Sequence, residues 1–370
     1  MTDPDGSNAP DDARDTAPRR QLVGQGLLIA ALLGTALIGI APAPYVIERP
    51  GPVYDTLGDT AVGGEKVPVI EVDGAESYET DGRLDLLTVY IDGSRERPVD
   101  WFEVLGAWLD PRRALLPIDS VYPPGQTDRE SDEKSARDMS DSQSAAIAAA
   151  LAELDIEYRS VVVVDRVSAG DPADGVLEPD DELLTVDGTA VSTDAELRAA
   201  IADAGLGARI ELGIRRAGVE STVTITTAQR SEDDPSPIIG VVPRVEYEFP
   251  FEVEINLPDV GGPSAGMMFA LGIYDTLTPG ALTGGEHVAG TGTVDAEGRI
   301  GAIGGIRQKM IGASEAGAEW FLAPSDNCGD VVGRVPAGLE VFAVSELSEA
   351  VEIVAAIGRG AATDGFERCT

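Results

Sequence analysis

The chain has 370 residues, with 27 Lys and Arg against 65 Asp and Glu, and its formal net charge is -38. This length and a hydrophobic fraction of 43% are sufficient for more than one folded domain. The excess of carboxylates excludes a nucleic-acid-binding protein, because no basic surface is available to neutralise phosphates. With two cysteines and one histidine, the sequence also excludes a Cys-rich zinc site and a His-rich metal centre, and we expect no metal and no cofactor.

An apolar stretch without a charged residue occupies positions 22–41. As a helix it is about 30 Å long, which is the thickness of the hydrocarbon core of a bilayer. Arg19 and Arg20 precede it, and this predicts a cytoplasmic N-terminus and an extracytoplasmic remainder. A cleaved signal peptide is the alternative, since APAP at the end of the stretch imitates a cleavage site, although the proline after the cut disfavours cleavage. We therefore expect an uncleaved single-pass anchor in the cell membrane.

The first part of the extracytoplasmic region mixes short apolar runs with charged segments. Residues 84–91, LDLLTVYI, are dense in apolar and β-branched side chains and predict a strand. Residues 123–138 are polar and heavily charged, which predicts a surface loop. Residues 140–154 are rich in alanine and predict a helix after that loop.

Residues 158–230 carry an ordered series of motifs: the strand VVVVDRV, the segment DDELLTVDG, a helix from Asp194 to Ala204 and a final hairpin. Thr193 and Glu196 predict a capping box at the start of that helix. The series resembles a bacterial PDZ domain, and such domains bind an extended peptide by strand addition. The Gly-Leu-Gly-Phe-type loop that holds a peptide carboxylate has no counterpart before the first strand. A β-rich spacer without a binding function is the alternative. The resemblance implies a groove between the first strand and the helix, lined by Val161, Val162, Val163, Glu196, Leu197 and Ile201.

The motif GGPSAG at positions 261–266 follows a predicted strand and precedes an apolar run. We expect Pro263 at the first helical position and Ser264 in the first helical turn. The first N–H groups of a helix lack intrahelical partners, and the dipole is positive there. Gly262, Ser264 and Ala265 are therefore candidates for a backbone oxyanion hole beside a Ser264 nucleophile. A plain helix N-terminus that contains a serine is the alternative.

A serine hydroxyl needs a base, and two residues are candidates. His287 lies in a glycine-rich turn, and it is the single histidine of the chain. Lys309 lies within a predicted helix, on the apolar face that Ile306 and Met310 define. A lysine that cannot reach water from such a face loses solvation, so its pKa falls and its neutral amine becomes a base near neutral pH.

GPSAG and GGIRQK, at the spacing found here, resemble the proteolytic domain of Lon-type serine proteases. The resemblance implies a dyad of Ser264 and Lys309, with Thr291 of the segment TGTV helping to position it. It also implies an α+β fold in which the PDZ-like domain is inserted in the Lon-type domain or precedes it, and it is compatible with ring-shaped homo-oligomers. The chain contains no GxxxxGK[ST] loop, so it lacks the ATPase module of full Lon proteases and we expect no ATP requirement.

The sequence therefore predicts an ATP-independent, membrane-anchored serine endopeptidase that cleaves extracytoplasmic proteins or peptides, with the PDZ domain binding or gating the substrate. A non-catalytic PDZ adaptor on the membrane is the alternative from another class.

We expect no structural role for Cys328 and Cys369, because Cys369 lies in a C-terminal tail that is expected to fray. The predicted organisation is a disordered cytoplasmic tail at 1–20, a transmembrane helix at 21–43, the N-terminal part of the Lon-like region at 44–157, the PDZ domain at 158–230, a linker at 231–237, the Lon-type proteolytic domain at 238–357 and a tail at 358–370.

Overall fold

The computed structural model of the chain describes residues 16–231, 233–257 and 260–369. The first fifteen residues of the predicted tail, and position 232 of the predicted linker, lie outside these ranges. The described α-helices are α1 Thr16–Gly39, α2 Trp101–Leu109, α3 Ile118–Val121, α4 Asp128–Glu153, α5 Asp194–Ala204, α6 Gly266–Leu277, α7 Ile306–Ala316, α8 Cys328–Val331 and α9 Leu347–Gly358. The described strands are β1 Tyr45–Asp55, β2 Asp59–Val62, β3 Glu65–Pro68, β4 Ile70–Asp73, β5 Arg83–Asp92, β6 Ala114–Pro117, β7 Arg159–Val167, β8 Glu182–Val186, β9 Thr189–Ala190, β10 Arg209–Arg216, β11 Val219–Thr226, β12 Ala228–Gln229, β13 Pro237–Ile238, β14 Val241–Glu248, β15 Glu252–Ile255, β16 His287–Gly290, β17 Thr293–Val294, β18 Ile300–Gly301, β19 Trp320–Pro324 and β20 Glu340–Val344.

Helix α1 contains the apolar stretch up to Gly39 and differs in its bounds from the predicted 21–43, since it runs from Thr16 to Gly39. The window Leu22–Gly39 has a mean hydropathy of 2.0 and is long and apolar enough to cross a membrane. Only 6% of this window is buried within the protein. A core helix would be mostly buried, so a membrane span and a signal sequence are the two readings that fit this helix.

The main sheet combines strands from two distant parts of the sequence. Its order is β20-β19-β16-β5-β1-β6. Strand β16 pairs in parallel with β5 on one side and with β19 on the other. Residues 45–117 and 287–344 therefore form one sheet, and the chain between β7 and β14 lies as an insertion within the domain that this sheet builds.

Helices cover both faces of the main sheet, and the alternation of β5 explains why. Leu84 and Leu86 point to the face where α4, α6 and α9 pack, and they share a hydrophobic core with Phe269 and Val354. Leu87 points to the opposite face, where it belongs to a second core with residues of α7 and α8. The strand is thus buried on both faces, which accounts for its nearly continuous run of apolar residues.

Helix α4 begins earlier than the sequence predicts, because residues 128–138 are helical and do not form a loop. Thr127 caps the helix in a capping box with Glu130, and ion pairs between residues four apart stabilise the exposed first turns. The alanine-rich second half then packs against α6 in the core. The high charge density of this segment thus predicted its exposure to solvent correctly, but the loop predicted from it was wrong.

The PDZ-like domain contains a second sheet with the order β11-β10-β8-β7-β14, and β9 pairs with β8. The predicted capping box of Thr193 and Glu196 is confirmed at the start of α5. Strand β14 follows the predicted end of this domain at residue 230, yet it pairs with β7 along its whole length. The PDZ-like sheet therefore extends past residue 238, where the sequence predicted the start of the Lon-type proteolytic domain.

The C-terminal segment is ordered by two contacts, and the expectation for its cysteines was wrong. Cys369 forms a disulfide with Cys328 of α8, and Cys369 is only 7% exposed. The N–H of Ala343 in β20 donates to the carbonyl of Glu367, so the segment pairs with the edge strand of the main sheet instead of fraying. The end of a chain frays only where no contact fixes it. Here the edge of β20 and the thiol of Cys328 both lie within reach of the C-terminal segment.

Candidate active site

Ser264 lies in a turn just before α6, since the helix begins at Gly266 and has Ala265 as its N-cap. The expectation of Pro263 at the first helical position was therefore wrong. The reason is that the Ser264 carbonyl is engaged elsewhere, because it accepts the N–H of Gly292 at 3.0 Å. This bond holds the serine against the loop that follows β16 and keeps it out of the helical hydrogen-bond pattern.

Helix α4 supports the serine turn from behind. The Oγ of Ser142 donates to the carbonyl of Pro263 at 3.0 Å. Gly266 is packed closely, since a Cβ there would lie 2.9 Å from the Ser142 Oγ and 3.1 Å from Val294. Any larger residue at the second glycine of GPSAG would therefore push α6 away from α4 and displace the turn that carries Ser264.

Lys309 reaches Ser264 from α7. Its Nζ lies 2.7 Å from the Ser264 Oγ and 2.9 Å from the Thr291 Oγ1. The lysine is only 2% exposed, which confirms that it stays within the apolar face of its helix and does not extend to water. The three side chains that the sequence singled out are thus brought together by α7, the serine turn and the end of β16.

Burial changes the acid–base properties of Lys309. Loss of solvation lowers the pKa of Lys309 to about 7, and the nearby carboxyl group of Glu48 opposes this shift. Glu48 belongs to β1 and is 6% exposed, and burial raises its own pKa. A Cβ at Gly305, the N-cap of α7, would lie 2.6 Å from the Glu48 Oε1, so the carboxyl group faces the positive end of the lysine helix.

Thr291 connects the two halves of the dyad. Its Oγ1 donates to the Ser264 carbonyl at 2.9 Å and accepts a hydrogen bond from the Lys309 Nζ. The residue is 1% exposed and follows β16 directly. One hydroxyl therefore fixes both the backbone that carries the serine and the amine that faces it.

The three backbone groups proposed for an oxyanion hole differ in availability. The N–H of Gly262 donates to the Ser135 carbonyl of α4 at 2.9 Å, so Gly262 is a wrong choice. Among the described residues, no acceptor contacts the N–H groups of Ser264 and Ala265. These two groups precede the positive end of α6, and within the described part of the chain they are available to bind a developing negative charge.

The alternative base, His287, lies at the opposite end of β16 from the serine. Its Nε2 is 2.6 Å from the Oδ2 of Asp85, whose other oxygen accepts a hydrogen bond from Arg83 at 2.9 Å. His287 and Thr291 are four positions apart along the strand direction, a distance of about 13 Å. The histidine is therefore engaged in a hydrogen-bonded cluster of the main sheet with Asp85 and Arg83, whereas Lys309 contacts the serine.

The PDZ groove is displaced by one strand from its predicted position. Val162 and Val163 are paired on both sides, with β8 and with β14, and Val161 is paired with β14, so none of the three lines the cavity beside α5. Glu196 does not face a groove either, because its carboxylate accepts the N–H groups of Ser192 and Thr193 at the start of α5. The three valine assignments were wrong because β14, from beyond the predicted domain, covers β7, and the Glu196 assignment was wrong because its carboxylate caps α5.

Strand β14 takes the place that the sequence assigned to β7. It is the outer strand of the PDZ-like sheet within the described residues, and a cavity of about 590 Å³ separates it from α5. Leu197 and Ile201 line this cavity, as predicted, together with residues 236–243. The segment Ile239-Gly240-Val241, with Gly240 at a φ of 82°, enters β14 at the position where a carboxylate-binding loop would precede the groove strand.

A second cavity of about 410 Å³ lies between the PDZ-like domain and the serine turn. It is lined on one side by the start of α5 and by Tyr247 of β14, and on the other by Pro263 and Val294. Asp194 lines both cavities, and Pro263 directly precedes Ser264. The groove beside α5 and the serine turn therefore open onto neighbouring spaces.

Two residues near the dyad were missed by sequence reasoning. Glu48 lies far from the motifs in sequence, in the segment ERPGPVYD, and Ser142 lies in the charged-to-alanine transition of α4. A buried carboxyl group next to a lysine is recognisable only when β1 and α7 are seen to pack together. The sequence offered no local signal for either residue.

Comparison with known proteins identifies both parts of the chain. Residues 251–356 match the family model of the Lon protease C-terminal proteolytic domain, and residues 136–227 match a PDZ domain model. The expected combination of a PDZ domain with a Lon-type proteolytic domain, and the α+β fold class, are thereby confirmed.

The chain is also similar to curated Lon proteases, but only over a short segment. It is 31% identical over 121 residues to Lon protease 1 of Bacillus subtilis, and this covers 31% of the chain and 15% of that protein. It is 35% identical over 109 residues to Lon protease 2 of Herpetosiphon aurantiacus, which covers 28% of the chain and 13% of that protein. The chain thus spans less than a sixth of the length of these relatives.

Among solved structures, the chain is similar to the PDZ domain of an SdrC-like protein from Listeria monocytogenes, with 22% identity and a TM-score of 0.21. That match covers 22% of this chain and 85% of the other. The corresponding PDZ domain from Listeria innocua matches at 20% identity and a TM-score of 0.22, covering 23% of this chain and 93% of the other.

Proposed function

We propose that this chain is an ATP-independent serine endopeptidase, anchored in the cell membrane by α1, that cleaves extracytoplasmic proteins or peptides with Ser264 and Lys309. One observation carries the proposal: a buried lysine with a pKa near 7 lies 2.7 Å from the hydroxyl of the GPSAG serine. The matched Lon-type domain, which contains both residues, supports the same reaction class.

The reaction follows from the contacts. Neutral Lys309 accepts the proton of the Ser264 hydroxyl while the Oγ attacks the scissile carbonyl carbon. The N–H groups of Ser264 and Ala265 stabilise the oxyanion of the tetrahedral intermediate. When the C–N bond breaks, the protonated lysine gives its proton to the leaving amine. Water then attacks the acyl-enzyme, and its proton passes by way of Lys309 to the departing Ser264 Oγ.

Substrate presentation by the PDZ domain is the second part of the proposal. An extended peptide would pair with the free edge of β14 and place side chains against Leu197 and Ile201 of α5. From there the polypeptide would reach Ser264 through the cavity beside Pro263. Because β14 continues through β15 into the serine turn, the strand that binds the peptide also leads covalently to the nucleophile.

Anchoring in the membrane by α1 is the third part of the proposal. The length and hydropathy of Leu22–Gly39 support a single membrane span, and the arginine pair at positions 19–20 favours a cytoplasmic N-terminus. The absence of a phosphate-binding loop from this sequence supports turnover without ATP. Substrates would then be unfolded or flexible chains outside the cytoplasm.

The test is hydrolysis of casein, an unfolded protein, by the full chain in lipid vesicles without ATP. Ser264→Ala should abolish the activity, whereas Ser325→Ala, a serine away from the dyad, should leave it unchanged. His287→Gln should retain activity if Lys309 is the base. Loss of activity in His287→Gln with retained folding would favour the Ser-His alternative. Inactivity of all chains, together with peptide binding to the α5–β14 groove, would favour a non-catalytic adaptor.

A further inference from the structure

An exposed apolar surface on α2 lies outside the candidate active site. This helix buries only Val104 and Ala107 against the body of the protein. Its remaining large apolar side chains are exposed, by fractions that range from 40% to 72%. A contiguous apolar patch of this kind marks an interaction surface in most proteins. The exposed residues are Trp101, Phe102, Leu105, Trp108 and Leu109.

Helix α2 touches the end of α1. The Phe102 ring packs so closely on Gly39 that a Cβ at that position would overlap it. The N–H of Ala43 donates to the carbonyl of Val99 at 2.8 Å, and Pro42 forms a bridge with Asp100. The apolar face of α2 is therefore continuous with the apolar surface of α1 and begins where the membrane-compatible window ends.

We propose that α2 is an interfacial helix whose apolar face inserts into the lipid surface at the side where α1 emerges. The inference rests on the proposed function, because it requires α1 to span the membrane. A span of about 20 apolar residues matches the hydrocarbon core, so Gly39 lies at the boundary with the headgroups. The contact with Gly39 places Phe102 at the same depth, and aromatic side chains are enriched at that level of a bilayer.

The charges around α2 identify lipid as the partner. Residues 94–113 contain four arginines and four carboxylates, so the segment is neutral within a chain of net charge -38. The rest of the surface is repelled by anionic headgroups, whereas this segment is not. Glu103 is the only charged residue of the helix, and its carboxylate accepts the Asp100 N–H in the capping box. Insertion of the face therefore leaves no unpaired charge in hydrocarbon.

Docking of α2 would also orient the catalytic part of the protein. Arg307 of α7 donates to the carbonyl of Pro111 at 2.8 Å, and Arg112 forms an ion pair with Glu315 of α7 at 3.0 Å. Helix α7 carries Lys309. The segment that follows the interfacial helix is thus attached to the helix of the catalytic base, and the dyad is held at a fixed height above the lipid.

The chain offers native probes for a test, because its three tryptophans are Trp101, Trp108 and Trp320. Trp320 lies in β19, and its buried Nε1 has no hydrogen-bond partner among the described residues, so phenylalanine replaces it without loss of a bond. The full chain with Trp320→Phe is reconstituted in phosphatidylcholine–phosphatidylglycerol vesicles with or without bromine on the acyl chains. Its emission should be blue-shifted and should fall by about twofold in the brominated vesicles, because indole rings at the interface contact the acyl chains.

The chain with Trp101→Phe and Trp108→Phe reports Trp320 alone and should show no quenching. Absence of quenching in the Trp320→Phe chain would overturn the proposal. Flotation with the vesicles separates this failure from a failure of the anchor: a chain that floats but is not quenched contradicts only the role of α2, whereas a chain that does not float contradicts the membrane span. Efficient bismaleimide cross-linking of a Leu105→Cys chain to itself, without quenching, would assign the face to a second copy of the chain.

Discussion

The catalytic dyad and the PDZ groove both handle the peptide in the proposed reaction, yet they are specified in different ways. The dyad consists of side chains in two short motifs: Lys309 lies on the helix that the sequence predicted, and Ser264 lies in the turn directly before the helix in which it was expected. The groove is a space between two backbone segments, and one of them, β14, comes from beyond the predicted domain. A motif therefore identifies chemical groups reliably, whereas an open strand edge depends on every segment that is able to pair with it.

The two regions also differ in their exposure to solvent. Lys309 and Thr291 are almost completely buried, so their contacts are fixed before a substrate arrives. The β14 edge faces a cavity instead and is completed only by a bound chain. Changes at the dyad should therefore lower kcat, the rate of the chemical step. Changes at the groove should instead raise the KM for substrates that bind there.

The largest effect is expected from Lys309→Met. The variant lacks the base that accepts the serine proton, so kcat should fall by at least about 10⁴-fold. It also lacks an amine that loses solvation on folding, so the free energy of unfolding at pH 7 should rise by roughly 1–3 kcal/mol. Casein hydrolysis and chemical denaturation measure the two quantities. An inactive variant that is also less stable than the natural chain would indicate a structural role for the lysine instead.

Thr291→Val should have the next largest effect. The substitution keeps the shape of the side chain but removes the hydroxyl that bonds both the Ser264 carbonyl and the Lys309 amine, so kcat should fall about 10–100-fold through misplacement of the dyad. Thr293→Val, two residues later, is the matched control and should remain active. Equal activity of the two variants in steady-state kinetics would contradict the positioning role of Thr291.

Val242→Glu should affect the groove and spare the dyad. Val242 lies on β14, is 39% exposed and lines the cavity beside α5. A carboxylate on β14, beside the apolar side chains of Leu197 and Ile201, should raise the KM for casein about tenfold. Hydrolysis of a short peptide that reaches Ser264 without the groove should not change. Val219→Glu, on the opposite edge of the same sheet, is the control, and a similar KM increase in that variant would exclude β14 as the binding strand.

The smallest effect is expected from Glu48→Gln, which should change the pH dependence of kcat/KM. Because only the neutral amine accepts the serine proton, kcat/KM should rise with pH through the pKa of Lys309, about 7. Glu48 raises this pKa against the effect of burial, so Glu48→Gln should move the acid limb of the profile to lower pH. At one pH unit below the midpoint of the natural chain's profile, the kcat/KM of the variant should be about threefold higher than that of the natural chain. An unchanged limb, as expected for the exposed Glu71→Gln control, would mean that Glu48 does not act on the lysine.

The helices of the chain illustrate how far local signals extend. The capping box of Thr193 and Glu196 fixed the start of α5 because all its groups lie within four residues. The start of α4 was missed, although Thr127 and Glu130 form the same motif, because the charge density of the following turns was read as a loop. Its exposed turns are stabilised by ion pairs rather than by an apolar face, so the usual periodic signal is absent.

The sequence by itself determined the apolar N-terminal helix, the PDZ and Lon-type segments, and the serine and lysine whose chemistry the fold serves. These features depend on composition, on spacing along one helix or on short motifs, and all of them are local. Only the tertiary structure decided that β14 replaces β7 at the groove, that Gly262 is engaged by Ser135, that Glu48 faces the lysine and that Cys369 reaches Cys328. Each of these is a contact between residues far apart in sequence, and such contacts depend on how whole elements pack rather than on any pattern within one of them.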